Sequence, residues 1–223
     1  AIELEDRMFD EVGHMYTISR NGITDKDKER GIELLLEAYA EVLDTCFTQM
    51  LHQLNQEYGN EPLRDLEKLI ERVKHEARHH ISWVSKFIAN HRVPPVIDHF
   101  HSILKQEKLK GKKRTFIQIP VSTEYEAKAR SILAQLHASD LSQIDEGVEL
   151  FIEAIEMGVD ALVHKPKDLM KFNFLVNKGL DGVIVVILKL MRHQLRKLPP
   201  HIAEPAYPMI ATHLESFLVG SKA

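Results

Sequence analysis

Two Glu-x-x-His pairs are the residues in this chain whose types and spacing could most readily do chemistry. On helices this motif is typical of dinuclear carboxylate metal sites, where both side chains project into the core of a bundle. The first pair is Glu11/His14, and the second, Glu76/His79, has two further histidines beside it. Imidazoles four residues apart on one helical face can share a metal ion. The candidate metal ligands are therefore His75, Glu76, His79 and His80.

Helical geometry argues against an interior metal site at these residues. Successive residues of a helix are rotated by about 100° around its axis. The direction of each side chain can therefore be derived relative to Ala77, which lies at the centre of the apolar face. His75 and His79 then point into solvent, Glu76 lies on the flank and His80 lies at the edge of the core. We interpret the first two as solvated histidines, and His80 as a core-edge residue bonded to Glu76 or to a backbone carbonyl.

The other carboxylates of the long helices are also predicted to face outward, which disfavours ferritin-like chemistry. They fall opposite the apolar faces of their helices: Glu33, Glu37, Glu41, Asp44, Asp145, Glu146, Glu149, Glu153, Glu156 and Asp160. Cys46 occupies a core position, where a thiol behaves as a small hydrophobe with a raised pKa. No nucleophile elbow and no phosphate-binding glycine loop occurs. An enzyme is therefore less favoured than a binding protein, and no cofactor is favoured.

A basic segment near the middle of the chain is the candidate anion site. It comprises Lys108, Lys110, Lys112, Lys113 and Arg114. These cations could bind a phosphate-bearing ligand or nucleic acid. Phe116 is the one aromatic residue nearby, which disfavours binding of single-stranded nucleic acid through base stacking. We interpret the segment as a solvated loop, and residues 140–160, with seven acids and no Lys or Arg, as an exposed acidic face.

Hydrophobic periodicity and capping residues predict an all-α multi-helix bundle of about eight helices. The predicted helices cover about 3–19, 24–58, 62–92, 95–110, 123–137, 142–165, 168–198 and 208–220. Within the seventh, glycines at 179 and 182 could introduce a kink. Residues 116–121 are β-prone and are predicted to form an extended connection or a lone edge strand. The prediction is one helical domain over 1–223, with a possible subdomain boundary in the loop 111–123.

Composition predicts a soluble cytoplasmic protein. The 223 residues are 44% hydrophobic and 28% charged, with a net charge of −4, which is too small to require nucleic acid or an anionic membrane as a partner. A single cysteine allows no intrachain disulfide, which suits a reducing compartment. The start of the chain shows no basic and apolar signal-peptide regions. The longest apolar run has six residues, whereas a membrane span needs about 20.

That run, residues 183–188, is apolar on all sides. It predicts either the central helix of the bundle, which we favour, or an interface with a second copy or another partner. The candidate interface residues are Val183, Ile184 and Ile187. The function predicted from the sequence is the binding of a partner protein or of a small apolar ligand between helices. The alternatives are a metal-dependent or histidine-using enzyme, and anion or nucleic-acid binding through the basic segment.

Overall fold

Eight helices dominate the residues that the computed structural model describes, which are 1–109 and 111–218. The predicted all-α multi-helix fold is thereby confirmed. Two of the helices contain one π-helical turn each and are otherwise α-helical. The helices are α1 (Arg7–Ser19), α2 (Asp25–Leu43, the π turn Asp44–Thr48 and Gln49–Tyr58), α3 (Glu61–Val84), α4 (Val93–Ile103), α5 (Thr123–His137), α6 (Ile144–Val159, the π turn Asp160–His164 and Lys165–Met170), α7 (Phe174–Lys197) and α8 (Tyr207–Glu215).

Side-chain caps fix where several helices begin. Thr24 forms a capping box with Asp27 at the start of α2. The side chain of Asn60 accepts a hydrogen bond from the backbone N–H of Leu63, at 3.1 Å, and starts α3. Asn173 caps α7, which runs unbroken from Phe174 rather than starting at 168 and kinking between the two glycines. Ser122 caps α5, and α6 starts after Gln143 without a side-chain cap. The predicted end of α8 near Gly220 lies outside the described residues.

The prediction was wrong for the segment around the basic residues, which forms strands rather than helix and loop. α4 ends at Ile103, and β2 (Leu104–Leu109) and β3 (Lys112–Ile117) form an antiparallel hairpin, with Gly111 at a left-handed φ of +82°. β1 (Ile2–Leu4), predicted as part of the first helix, pairs with the other side of β3. Residues 116 and 117 of the predicted extended segment 116–121 thus end the central strand of a sheet ordered β1-β3-β2, not a lone edge strand, and residues 118–121 follow it outside the sheet. The β1–β3 pairing joins residues more than 100 positions apart, and no local sequence pattern reveals it.

Thr115 at the centre of this sheet offers a test of the packing. It is fully buried, and its hydroxyl oxygen has no hydrogen-bond partner among the described residues. A Thr115→Val substitution keeps the shape and removes an unsatisfied polar group, so we expect the free energy of unfolding to rise by about 1–2 kcal/mol. Urea unfolding measures this change. Thr115→Ser is the matched control, because it keeps the hydroxyl, loses the methyl and should be destabilising; loss of stability in Thr115→Val would contradict the account.

Three groups of buried apolar residues make up the core. The first joins α1, α4, the sheet and the N-terminal half of α2, around residues such as Met8 and Ile117. The second joins the C-terminal half of α2 with α3, α6 and the C-terminal half of α7, around Leu51 and Ile70. The third joins α5, α6 and α8 around Leu133. Within residues 1–109 and 111–218, none of the helices combines the length and the apolar composition that a bilayer crossing requires.

Candidate ligand-binding cavity

A cavity of about 440 Å³ lies where the three core groups meet. Apolar side chains from five helices form most of its wall. α2 contributes Leu35, Tyr39, Cys46 and Phe47; α3 contributes Val73, Ala77, His80 and Ile81; α5 contributes Ala129, Ile132 and Leu133; α6 contributes Phe151, Ile155, Gly158 and Leu162; α7 contributes Leu180, Val183, Ile184, Ile187 and Leu188. The cavity is therefore an interhelical space to which most of the long helices contribute.

The few polar groups in the wall are mostly bonded to other parts of the protein. The hydroxyl of Tyr125 donates to the carbonyl of Leu150 at 2.9 Å, and burial raises the pKa of Tyr125 to about 12. Burial also raises the pKa of the Cys46 thiol to about 12. Both groups are therefore neutral at pH 7, and Cys46 is not an activated nucleophile. The ammonium of Lys167 forms an ion pair with Asp181, so the wall offers a ligand little beyond hydrocarbon contacts.

The π turn of α6 shapes one side of the cavity, and its cause is visible in the sequence. Pro166 has no N–H, so the carbonyl of Leu162 four residues earlier receives no helical hydrogen bond. The backbone N–H of Lys165 donates to the backbone carbonyl of Asp160 in π geometry, which also leaves the carbonyl of Ala161 without this donor. Nε2 of His99 donates to the carbonyl of Ala161 at 2.7 Å, and the hydroxyl of Tyr39 donates to the carbonyl of Leu162. Burial raises the pKa of Tyr39, so its hydroxyl stays protonated and able to donate.

A second π turn lies in α2 and places Cys46 and Phe47 in the cavity wall. Nε2 of His213, from α8, donates to the carbonyl of Cys46 at 3.2 Å. Burial lowers the pKa of His213, which favours the neutral imidazole in this contact. The π turns were not predicted from the sequence. Pro166 was the available signal for the one in α6, since a proline inside a continuing helix needs a local rearrangement.

The candidate metal ligands lie on α3 but do not converge. His75 and His79 are exposed, whereas His80 lines the cavity, with Nε2 3.5 Å from a carboxylate oxygen of Glu76. The rings of His79 and His80 lie edge to face, 5.5 Å apart. Within the described ranges, no three His, Cys, Asp or Glu side chains come together in a way that could hold a metal ion.

In the other Glu-x-x-His pair, the carboxylate belongs to an ion-pair network between α1 and α2. Glu11 binds Arg7 at 3.2 Å and also contacts Arg30, and both arginines contact Glu37. The arginines hold the pKa of Glu11 below its usual range, although partial desolvation opposes them. This carboxylate therefore joins two helices together.

The candidate anion-binding residues that the structure describes all lie on the β2–β3 hairpin and are exposed: Lys108, Lys112, Lys113 and Arg114. Lys110 lies outside the described residues. Arg114 pairs with Glu3 of β1. Two acids of the 140–160 segment pair with arginines of α7 and not with the hairpin. Glu149 binds Arg196 at 2.6 Å, and Glu156 binds Arg192.

The three candidate interface residues, Val183, Ile184 and Ile187, all line the cavity. The opposite side of the same helix is also apolar and is exposed, at Val185 and Val186. The apolar residues of this run therefore have two separate locations: one side of the helix borders the cavity, and the other side is exposed to solvent.

The chain matches no protein-family model, no curated protein and no solved structure. Its function must therefore be argued from the cavity and from the surfaces around it.

Proposed function

We propose that this protein binds a small apolar molecule in the cavity between α2, α3, α5, α6 and α7. The observation that carries the proposal is the cavity itself, with a volume of about 440 Å³ and an almost wholly apolar wall. Ligand pockets in proteins have volumes of about 300–1,000 Å³ and are lined mainly by hydrophobic and aromatic side chains. The volume of this cavity and its apolar lining both fall within this description.

The energetic cost of such a cavity supports the proposal. The apolar side chains around this space lack packing partners on one side, so each of them loses dispersion contacts of about 0.1–0.2 kcal/mol per atom pair. A ligand that restores the missing dispersion contacts would therefore contribute strongly to the stability of the folded state.

The wall also indicates the class of ligand. An ionised group placed in the cavity would lose its hydration, and the buried hydroxyls of Tyr39 and Tyr125 already donate to backbone carbonyls. Lys167 and His80 are the basic side chains in the wall, and each is close to a carboxylate. The favoured ligand is therefore a neutral hydrocarbon-rich molecule, or one whose single polar end lies at His80 or Lys167.

N-phenyl-1-naphthylamine, a neutral fluorescent hydrocarbon-like probe, tests the proposal. We expect a saturable rise in fluorescence with one site per chain. At 100 times the dissociation constant, ligand binding adds about 2.7 kcal/mol to stability. For a chain of this length the unfolding midpoint should then rise by about 5–10 °C.

Naphthalene-1,5-disulfonate is the charged control, because it shares the naphthalene rings of the probe but carries two negative charges. It should neither compete with the probe nor raise the midpoint. Absence of saturable probe binding, or equal effects of both compounds, would contradict the proposal.

A further inference from the structure

Exposed apolar side chains are concentrated on two neighbouring helices. Nine large hydrophobic residues are exposed in the described part of the chain, and seven of them lie on α3 and α7 or in the turn directly after α3. These two helices pack against each other. The seven residues, which we call the apolar surface, are Trp83, Phe87, Phe174, Leu175, Val185, Val186 and Leu190. Two of them are exposed by more than 70%, Phe174 at 74% and Leu175 at 78%.

Cations surround this apolar surface. Residues 71–92 contain five Lys or Arg against two acids, and residues 174–197 contain five against one, in a chain whose net charge is −4. Seven cations of these two segments are exposed: Arg72, Arg78, Lys86, Lys178, Lys189, Arg196 and Lys197.

The three acids lie beside cations: Glu71 binds Lys74 at 2.7 Å, Asp181 binds Lys167, and Glu76 lies 4.0 Å from Arg72. Arg192 and Arg196 are in turn paired with acids of α6. The exposed Lys86, Lys178 and Lys189 form no ion pair among the described residues, so the outward faces carry an excess of positive charge.

Exposed aromatic and aliphatic side chains flanked by lysine and arginine match the surface of an anionic lipid bilayer. Trp and Phe enter the boundary between headgroups and acyl chains, and basic residues bind acidic headgroups. A second copy of the chain fits less well, because a twofold contact would bring the same cationic faces together. We propose that the outer faces of α3 and α7 dock on an anionic bilayer surface.

The inner sides of the same two helices line the cavity. Ala77 and Ile81 of α3 and Val183 and Ile184 of α7 face it. One layer of helices, about 10 Å thick, would then separate the docked bilayer from the cavity. The ligand of the cavity would then be a membrane-derived apolar molecule, such as a lipid acyl chain, that enters between α3 and α7. This part of the inference rests on the proposed function.

Vesicle binding tests the docking surface, and Trp83 reports on it because the chain has no other tryptophan. We expect co-flotation with vesicles of phosphatidylcholine and phosphatidylglycerol, together with a blue shift of tryptophan emission. Binding should weaken with salt and be far weaker for pure phosphatidylcholine. The triple variant Lys86→Glu, Lys178→Glu, Lys189→Glu should bind on the order of 100-fold more weakly.

The matched control reverses three hairpin lysines, Lys105→Glu, Lys112→Glu and Lys113→Glu, and therefore makes the same change in net charge. It should bind anionic vesicles nearly as well as the unmodified chain. An equal loss in both triple variants, or equal binding to neutral and anionic vesicles, would overturn the docking proposal. Stable dimers without lipid that shift Trp83 emission to the blue would also overturn it, in favour of self-association.

Probe binding separates the two proposals. The α3–α7 triple variant should still bind N-phenyl-1-naphthylamine with unchanged affinity, since its substitutions are on the outer faces. If the unmodified chain binds vesicles and not the probe, the cavity proposal fails and the docking proposal stands. If it binds the probe and not anionic vesicles, the reverse holds.

Discussion

Gly158→Leu is expected to raise the unfolding midpoint by about 5–10 °C and to weaken binding of N-phenyl-1-naphthylamine at least tenfold. Gly158 lines the cavity on the same face of α6 as Phe151 and Ile155, and a Cβ added there meets no atom within 4 Å. Leucine gains about 0.5–1 kcal/mol in helix propensity over glycine, and its burial contributes about 1.5–3 kcal/mol. Each kcal/mol raises the midpoint by about 2–4 °C in a chain of this size.

Gly13→Leu is the matched control for this substitution. Gly13 is also within a helix, α1, and a Cβ there also meets open space, but the residue does not line the cavity. This variant should gain the helix-propensity increment and bind the probe normally. Thermal unfolding and probe titration of both variants give the comparison, and normal probe binding by a stabilised Gly158→Leu variant would place the ligand elsewhere.

Tyr39→Phe is expected to lower the free energy of unfolding by about 1–3 kcal/mol. The lost hydroxyl donates to the carbonyl of Leu162, which has no helical donor because Pro166 lacks an N–H. The substitution keeps the ring and its packing, so the cost is that of an unsatisfied buried carbonyl. Urea unfolding of Tyr39→Phe measures it.

A double-mutant cycle with Pro166→Ala isolates this mechanism. Alanine restores an N–H at the position from which the carbonyl of Leu162 can accept a hydrogen bond. Tyr39→Phe should therefore cost about 1 kcal/mol less in the Pro166→Ala background. Equal costs in both backgrounds would show that the hydroxyl and the missing N–H are not coupled.

The sequence carried enough local information to predict most helices. The capping box of Thr24 and Asp27, and the break after residue 58, are local signals, and both are present in the structure. β1 was missed because its pairing is distant in the sequence, as for Ile2 opposite Ile117. Residues 105–109 are rich in Lys, Gln and Glu, so helix propensity favoured continuing α4 through them.

The cavity could not be predicted from periodicity, because its volume depends on how far apart the helices lie. The pattern around Ala77 gave the apolar face of α3. The run 183–188 was favoured as the central helix of the bundle, but Val185 and Val186 are exposed. Neither pattern shows that Ala77 and Ile184 border the same space. Two features border that space: the π turns of α2 and α6, which contribute residues such as Phe47 and Leu162, and small inward residues such as Gly158.

The most direct test of the account is a crystal structure of the protein grown with 1-bromododecane, in which anomalous scattering locates the bromine. The account predicts a bromine peak inside the cavity, bordered by Leu133, Phe151 and Ile184, with continuous density for the alkyl chain. A peak confined to the outer faces of α3 and α7, or helices packed closely enough to close the cavity, would contradict it.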